Sequence, residues 1–197
     1  MSAAGPGQST DLLVDVVTVL GAAKIEYAVI GALAVSVHGV VRASQDADAV
    51  IHATVRELGE ITKTLTDMGL KTDLRRGDID DPIPAMLLVS DKYNNRVDLL
   101  AGLKGMDASI YKRVVEVKIP GMAIPLRVAC REDLIAMKAF AGGPQDLLDA
   151  SRCVAVAGAD LNLELLRRIV AGYGRDAVAN CEKLVARSGS DIERSSK

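Results

Sequence analysis

One stretch, residues 27–52, constrains the fold more than any other part of the chain. It begins with a short apolar run, Tyr27–Ile30, which is typical of a buried strand. Gly31 and Ala32 come next, and the apolar segment behind them is long enough for two helical turns before Gly39 ends it. A second apolar run with two acidic residues occupies positions 46–51. The pattern therefore predicts a strand, a glycine turn, a short helix and a second strand.

Two carboxylates in the second strand indicate the chemistry. Asp46 and Asp48 are two residues apart, so on a strand their side chains point to the same face. Neighbouring carboxylates repel each other unless a cation joins them. Mg²⁺ is the natural cation, because it takes one or two carboxylates together with substrate phosphates. The free N–H groups of a helix that begins after Gly31 also suit a phosphate, so the stretch predicts nucleotide chemistry.

These residues resemble a known family. Gly31-Ala32, then Arg42-Ala-Ser44, then Asp46-Ala-Asp48 resemble the signature of the DNA polymerase beta-type nucleotidyltransferase superfamily. The Arg-x-Ser-x-Asp-x-Asp order is similar to a small bacterial branch, the abortive-infection (AbiEii) type toxin nucleotidyltransferases. The resemblance covers about residues 26–150 and does not extend to the last two helices. Ala32 departs from the pattern, since the family usually has Gly or Ser there, and a backbone N–H remains without the hydroxyl.

The resemblance implies a third carboxylate. The family carries it on a neighbouring strand between two apolar residues, as Asp98 stands between Val97 and Leu99. A single Asp in such a strand is otherwise a strand end or a hydrogen-bonded polar group. The resemblance also implies Mg²⁺ (or Mn²⁺), with Asp46 and Asp48 binding both ions of a two-metal site. Asp98 would complete the metal that activates the acceptor, and Gly31 with Ala32 would hold the terminal phosphates.

Further candidates lie outside this motif. Lys138 stands on an apolar helix face, where a lone charge is costly to bury, so it either contacts a triphosphate or reaches solvent. Asp146 and Asp149 follow on the next helix, as in the toxin-like branch, and either position Lys138 or Arg42 or cap their helix. Arg42 either holds a phosphate or braces the Asp46-Asp48 strand through a salt bridge. Ser44 is a nucleotide-binding candidate that more simply hydrogen-bonds the local backbone.

These residues predict a Mg²⁺-dependent enzyme that moves a nucleoside monophosphate from an NTP to an acceptor hydroxyl and releases pyrophosphate. The resemblance favours an RNA acceptor, especially a tRNA 3′ end, in a toxin–antitoxin setting with a cognate antitoxin. A protein hydroxyl or a small molecule such as an aminoglycoside is the alternative acceptor. A non-catalytic module that binds a nucleotide or a partner on the same scaffold is the alternative to an enzyme.

Composition sets outer limits on these functions. Hydrophobic residues make up 49% of the 197 positions, which is enough for a substantial core. No apolar run approaches the roughly 18 residues of a membrane span, and the N-terminus lacks the pattern of a signal peptide. Three scattered cysteines match neither a disulfide framework nor a zinc site. We therefore expect a cytoplasmic protein without a membrane partner.

Charge is divided unevenly along the chain. Residues 1–98 carry 9 basic and 14 acidic residues, a net charge of −5. Residues 99–197 carry 15 basic and 12 acidic residues, a net charge of +3. A polyanionic acceptor such as RNA would therefore contact the C-terminal half, for which Arg167, Arg168 and Arg175 are candidates. Ordinary solvated helix faces explain the same charges equally well.

The order of predicted elements indicates an α/β fold. It consists of a small mixed-sheet nucleotidyltransferase core at residues 9–128 and a C-terminal helical region at 129–190. Thr54 and Glu57 predict a capping box. Residues 71–84 are predicted to form a surface loop with a possible short strand. The predicted helices are 9–23, 54–68, 105–113, 131–141, 145–157, 161–172 and 175–188; the predicted hairpins pair 86–89 with 96–100 and 115–119 with 124–128 around Pro120-Gly121.

Overall fold

The computed structural model describes residues 3–42, 44–119 and 124–195, with side chains described as far as residue 187. Most boundaries fall within two residues of those predicted. In chain order the elements are α1 Ser9–Ala22, β1 Tyr27–Ile30, α2 Gly31–Val37, β2 Asp46–Ile51, α3 Val55–Asp67, β3 Lys71–Arg76, β4 Ala85–Ser90, β5 Arg96–Leu100, a 3₁₀ helix Ala108–Lys112, β6 Val115–Val117, β7 Leu126–Val128, α4 Arg131–Ala141, α5 Pro144–Ala157, a second 3₁₀ helix Gly158–Asp160, α6 Leu163–Gly172 and α7 Arg175–Ser195.

The strands form one mixed sheet in the order β3-β4-β5-β2-β1-β7-β6. β2 pairs with β5 in parallel, and so does β1 with β7, while the other neighbours are antiparallel. The predicted α/β class with a small mixed sheet is therefore confirmed. Both predicted hairpins, β4–β5 and β6–β7, are also present, although the Pro120-Gly121 turn lies outside the described residues.

The two faces of the central strands differ in polarity. Alternate residues of β4 and β5, such as Leu87, Val89, Val97 and Leu99, are almost completely buried. The helices α1 and α3 contact these strands and their neighbours with their apolar sides. The intervening residues of β2, β4 and β5 face the other way, and most of them remain accessible, although Val50 and Leu100 at the strand ends are buried. Because the side-chain period of a strand is two, all polar residues of these strands that share a parity lie on this open face.

The chain divides into two compact units. The sheet unit contains residues 1–33, 43–104 and 114–128, and the helical unit contains residues 34–42, 105–113 and 129–197. The expected division into a core at 9–128 and a helical region at 129–190 stays a prediction. Among the described residues, no helix is long and apolar enough to cross a bilayer.

Three predicted elements differ from the structure. Residues 71–84, expected to form a loop with a possible short strand, contain the six-residue strand β3, which pairs with β4 along its whole length. The predicted helix 105–113 is a shorter 3₁₀ helix, with the Asp107 side chain accepting a hydrogen bond from the Ser109 N–H at its start. The backbone of α7 continues to Ser195, although the polar sequence after residue 187 predicted a frayed tail.

The predicted capping box at α3 is confirmed. The Thr54 hydroxyl accepts a hydrogen bond from the Glu57 N–H, and the Glu57 carboxylate accepts one from the Thr54 N–H at 2.7 Å. These contacts satisfy two of the N–H groups that a helix start leaves without partners. Hydrogen bonds to the Glu57 carboxylate lower its pKa. The largest cause is the bond from the Thr54 hydroxyl, and the second is the bond from the Thr54 N–H.

We expect Thr54→Ala to lower the free energy of unfolding by about 1 kcal/mol, because one orphan N–H group loses its partner. Thr64→Ala is the matched control, since Thr64 lies inside the same helix, where its hydroxyl donates a hydrogen bond to the Glu60 carbonyl. That control should be neutral or slightly stabilising, because alanine is the better helix former. Urea unfolding of both variants measures the difference, and equal losses would contradict a capping role for Thr54.

Candidate active site

The pairing of β2 with β5 places the predicted carboxylates side by side. Asp48 lies directly opposite Asp98 in the parallel register, and Asp46 lies opposite Arg96. All three acidic residues share the parity of the open face and are partly accessible. Directly opposite residues on neighbouring strands have Cβ atoms about 5 Å apart, so the three carboxylates occupy one small region.

Gly31 lies against the same region from the other side of β2. Ile30, the last residue of β1, is opposite Asp48, so the chain turns into α2 beside that carboxylate. Gly31 has φ +67°, a left-handed conformation that favours glycine. A Cβ at this position would overlap with the Asp48 carboxylate group. Glycine is therefore required here both by the backbone conformation and by the close approach of Asp48.

The electrostatic environment of Asp98 differs from that of an ordinary surface carboxylate. Burial raises its pKa, and the nearby negative charge of Asp46 raises it further. The positive charges of Arg96 and Arg75 act in the opposite direction and are the smaller effects. The carboxylates of Asp46 and Asp98 therefore interact in the absence of a cation, as their common location on the sheet requires.

The residues fit a divalent cation by type and by strand register. Oxygen ligands on adjacent strands are what Mg²⁺ takes, usually as one or two carboxylates completed by water and substrate phosphates. Among the described residues, however, no group of three or more His, Cys, Asp or Glu side chains already converges on a metal position. The arrangement suits an ion that arrives with a nucleotide, because phosphate oxygens then supply the remaining ligands.

Ser44 makes local hydrogen bonds in the motif, and Ala32 is buried. The Ser44 hydroxyl donates a hydrogen bond to the Asp46 carbonyl at 2.9 Å, which matches the expected contact with the local backbone. It also accepts a longer hydrogen bond, 3.3 Å, from the Asp46 N–H. Ala32, at the second position of α2, is only 3% exposed. Ser44 thus fixes the start of β2, the strand that carries both carboxylates.

Within the helical unit, Lys138 and Arg42 are held by the acidic residues of α5. The Lys138 ammonium lies 2.6 Å from Asp146 and 3.3 Å from Asp149, and its side chain is 12% exposed. Arg42 forms its ion pair with Asp149, which is completely buried and also accepts a hydrogen bond from Gln145. Asp146 and Asp149 therefore do hold Lys138 and Arg42 in place, which was one of their two predicted roles.

The contacts in this network bear on three alternatives that the sequence left open for the same residues. Lys138 does not reach solvent, because two carboxylates compensate its charge inside the protein. Arg42 does not brace the Asp46-Asp48 strand through a salt bridge, since its partner is Asp149. The N-cap residue of α5 is Gly143, and the described hydrogen bonds of Asp146 and Asp149 come from Lys138, Arg42 and Gln145. Charge pairing within the helical unit explains all four positions.

A group of cations beside Asp98 was not predicted from the sequence. Lys71, Arg75 and Arg96 lie with Asp98 around one groove on the open face of β3, β4 and β5. They were missed because residues 71–84 were interpreted as a loop. The signal was present in Lys71-Thr-Asp-Leu-Arg75, where charged and uncharged residues alternate with the period of a strand.

The fold is that of known nucleotidyltransferases. Two structures of the antibiotic-resistance factor ANT(2'')-Ia are similar to this chain, each at 15% sequence identity and a TM-score of 0.55. The match to the solution structure covers 84% of this chain and 90% of the other. The match to the crystal structure with adenylyl-2''-tobramycin covers 84% and 96%. No curated protein matches the sequence significantly.

The family follows from a sequence match to nearly the whole chain. Residues 12–188 match the family described as nucleotidyltransferase of unknown function (DUF6036), and the chain belongs to that family. It is therefore an enzyme, a nucleotidyltransferase, as the paired carboxylates predicted, and the hypothesis of a non-catalytic module is set aside. Membership of the AbiEii-type branch is not confirmed.

We expect Gly31→Ala to lower the free energy of unfolding more than Gly69→Ala does. Both glycines have positive φ, +67° and +86°, so both substitutions carry backbone strain of about 1–2 kcal/mol. Only at Gly31 does the new Cβ meet another group, since nothing lies within 4 Å of a Cβ at Gly69. The excess loss should be about 1–3 kcal/mol, as for other overpacked sites. Urea unfolding gives the comparison, and equal losses would show that Asp48 moves aside freely.

Proposed function

We propose that the protein transfers a nucleoside monophosphate from an NTP to an acceptor hydroxyl, with Mg²⁺ (or Mn²⁺) bound by Asp46, Asp48 and Asp98. The observation that carries this proposal is the register of β2 and β5, which sets Asp48 opposite Asp98 with Asp46 on the same face. Three carboxylates that repel one another need a compensating cation, and family membership supplies the reaction class.

The carboxylates would act by position and charge. A divalent cation at this place would neutralise the triphosphate and lower the pKa of the acceptor hydroxyl. Asp46 and Asp48 belong to one strand and would hold the nucleotide-bound ion in a fixed place. Asp98 comes from the neighbouring strand and would face the acceptor, where it would help to hold the metal ion that activates the acceptor hydroxyl. Gly31 leaves room for the Asp48 carboxylate and for a phosphate beside the start of α2.

Lys138 and Arg42 are proposed as indirect contributors. Their charges are already balanced by Asp146 and Asp149, so a triphosphate is not needed to compensate them. A partly buried network with balanced charges rigidifies the elements that carry it. We therefore assign these four residues to holding α4, α5 and the segment before Ser44, in preference to direct phosphate contact.

The acceptor is proposed to be a small molecule with a free hydroxyl. The similar fold of ANT(2'')-Ia, solved with adenylyl-2''-tobramycin, supports this class of acceptor. The expected RNA acceptor has less support, because Arg167, one of the three candidate contacts, is engaged by Glu182 through two hydrogen bonds of 2.8 and 3.1 Å. RNA and protein remain as comparison substrates in the assay, and a cognate antitoxin is not part of the proposal.

We expect Asp46→Asn and Asp98→Asn to differ in kind. Asp46→Asn should abolish Mg²⁺-dependent NTP binding, because it removes a ligand of the nucleotide-bound ion. Asp98→Asn should keep most of the NTP affinity and lose about 10²–10⁴-fold in the transfer rate, because its contribution is made mainly in the transition state. Calorimetry with Mg-NTP and single-turnover transfer from α-labelled NTPs measure the two effects.

The assay also identifies the acceptor class. Labelled NTPs and Mg²⁺ are incubated with total RNA, with protein or with a small-molecule extract of cells, and the labelled fraction is the acceptor class. Asp67→Asn is the matched control, since this exposed carboxylate lies at the end of α3, away from β2 and β5. Wild-type transfer by Asp98→Asn, or unchanged Mg-NTP affinity in Asp46→Asn, would disprove the three-carboxylate site.

A further inference from the structure

A groove of about 270 Å³ lies next to Asp98 on the open face of the sheet. Its floor is formed by β4, which contributes Leu88 and Ser90, and its sides come from β3 and β5. Leu88 is directly opposite Asp98, and Ser90 is directly opposite Arg96. The groove therefore begins at the third carboxylate and extends toward the edge of the sheet. The complete lining is Lys71, Thr72, Asp73, Arg75, Leu88, Val89, Ser90, Arg96 and Asp98.

The charge of the groove is positive away from Asp98. Three cations, Lys71, Arg75 and Arg96, stand against a single further carboxylate, Asp73. Asp73 pairs with Arg75 at 2.8 Å, and both side chains are more than half exposed. In the described part of the chain, neither the Lys71 ammonium nor the Arg96 guanidinium forms an ion pair. Both cations can thus meet an anion that enters the groove; Lys71 lies on the edge strand, while Arg96 is opposite Asp46 and its charge also lowers the pKa of Asp98.

The strand register spaces these two cations for one small ligand. Arg96, Ser90 and Lys71 lie opposite one another on β5, β4 and β3, in a row across the sheet. Neighbouring strands are about 4.8 Å apart, so the backbones of Arg96 and Lys71 are about 10 Å apart. Both side chains are long enough to close on an anion above the hydroxyl of Ser90, which can donate a further hydrogen bond.

The position of the groove relative to Gly31 indicates which substrate it holds. β2 lies between β1 and β5 in the sheet, so Gly31 borders the carboxylates on one side and the groove borders them on the other. In phosphoryl transfer the attacking and leaving oxygens are roughly in line across the phosphorus. If the pyrophosphate leaves on the Gly31 side, the acceptor hydroxyl must approach from the groove.

We propose that this groove is the acceptor site and that the acceptor carries a phosphate group close to its reacting hydroxyl. Lys71 and Arg96 would bind the phosphate by charge-assisted hydrogen bonds, while the hydroxyl points at Asp98. Cationic acceptors such as aminoglycosides are disfavoured by the same charges, although the fold is similar to that of ANT(2'')-Ia. This inference rests on the proposed function. A phosphorylated sugar and the terminal nucleotide of an RNA share the required chemistry.

The test measures binding of acceptor-like ligands while the nucleotide site is already occupied. The 197-residue chain is loaded with Mg²⁺ and, in turn, with an analogue of each NTP whose α–β bond cannot be cleaved. Calorimetry then follows the addition of inorganic phosphate, ribose 5-phosphate, unphosphorylated ribose, a short RNA and tobramycin. We expect the phosphorylated probes to bind more tightly than ribose and tobramycin. Salt dependence separates the two sources, because an RNA that contacts several cations gives a steeper slope than a single phosphate does.

Substitutions connect the binding to the groove. Lys71→Gln combined with Arg96→Gln should weaken the binding of ribose 5-phosphate or RNA about tenfold or more, since each cation supplies a charge-assisted hydrogen bond. Arg76→Gln is the matched control, because Arg76 is the next residue of the same strand after Arg75 and does not line the groove. Thermal unfolding of each variant confirms that these exposed positions leave the fold intact.

The outcomes are distinct. Tighter binding of tobramycin than of ribose 5-phosphate, or equal loss in the double variant and in Arg76→Gln, would overturn the phosphate-bearing acceptor while leaving nucleotide transfer unaffected. Failure of the wild type to bind a Mg²⁺-loaded analogue of any of the four NTPs would overturn the proposed function, and this inference with it. Loss restricted to the double variant, with the Mg-nucleotide affinity unchanged, is the result that supports the groove.

Discussion

The site depends on the register between β2 and β5. A strand alternates its side chains with a period of two, so a slip of one residue would exchange the faces of β2. Asp46 and Asp48 would then face the apolar side, and Ala47 and Ala49, now almost completely buried, would face outward. The cost of burying two unpaired carboxylates excludes that arrangement. The packing of apolar residues against α1 and α3 thereby fixes the positions of the catalytic candidates without touching them.

The charged residues of this protein form two groups that differ in how far their charges are compensated. In the helical unit, Lys138, Arg42, Asp146 and Asp149 neutralise one another, so this buried network is complete by itself. On the open face of the sheet, like charges are gathered: burial and the neighbouring Asp46 raise the pKa of Asp98. A complete network serves structure, because it leaves no free charge for a ligand. The carboxylates on the sheet are not compensated in this way, which favours binding of a cation together with its nucleotide. For this reason we place the catalytic site on the sheet.

A nucleotidyltransferase fold defines the reaction more closely than it defines the acceptor. The carboxylates belong to β2 and β5, which the core holds in place, while the groove extends from β5 over β4 to the edge strand β3. Substitutions of exposed side chains on an edge strand have little effect on the core. Lys71, Arg75 and Arg96 give this chain a positive groove, so its acceptor can differ in charge from tobramycin even though the folds are similar.

The sequence by itself determined the local structure and the chemistry of the carboxylate motif. The strand before Gly31, the strand of Asp46 and Asp48, the capping box at Thr54 and the β4–β5 hairpin all depend on near neighbours in the chain, and all were predicted. Asp98 was placed near the others only through the family resemblance, since the pairing of β2 with β5 joins segments that are about 50 residues apart.

Only the tertiary structure decided the partners of the long charged side chains. Lys138 and Arg42 had several chemically acceptable partners in the sequence, and the choice of Asp146 and Asp149 follows from the packing of α4 and α5. The groove likewise requires β3 to pair with β4, because a lone Lys71-Thr-Asp-Leu-Arg75 segment is polar enough to be a loop. Local patterns thus fix which residues can do chemistry, while long-range pairing decides which charges remain available for it.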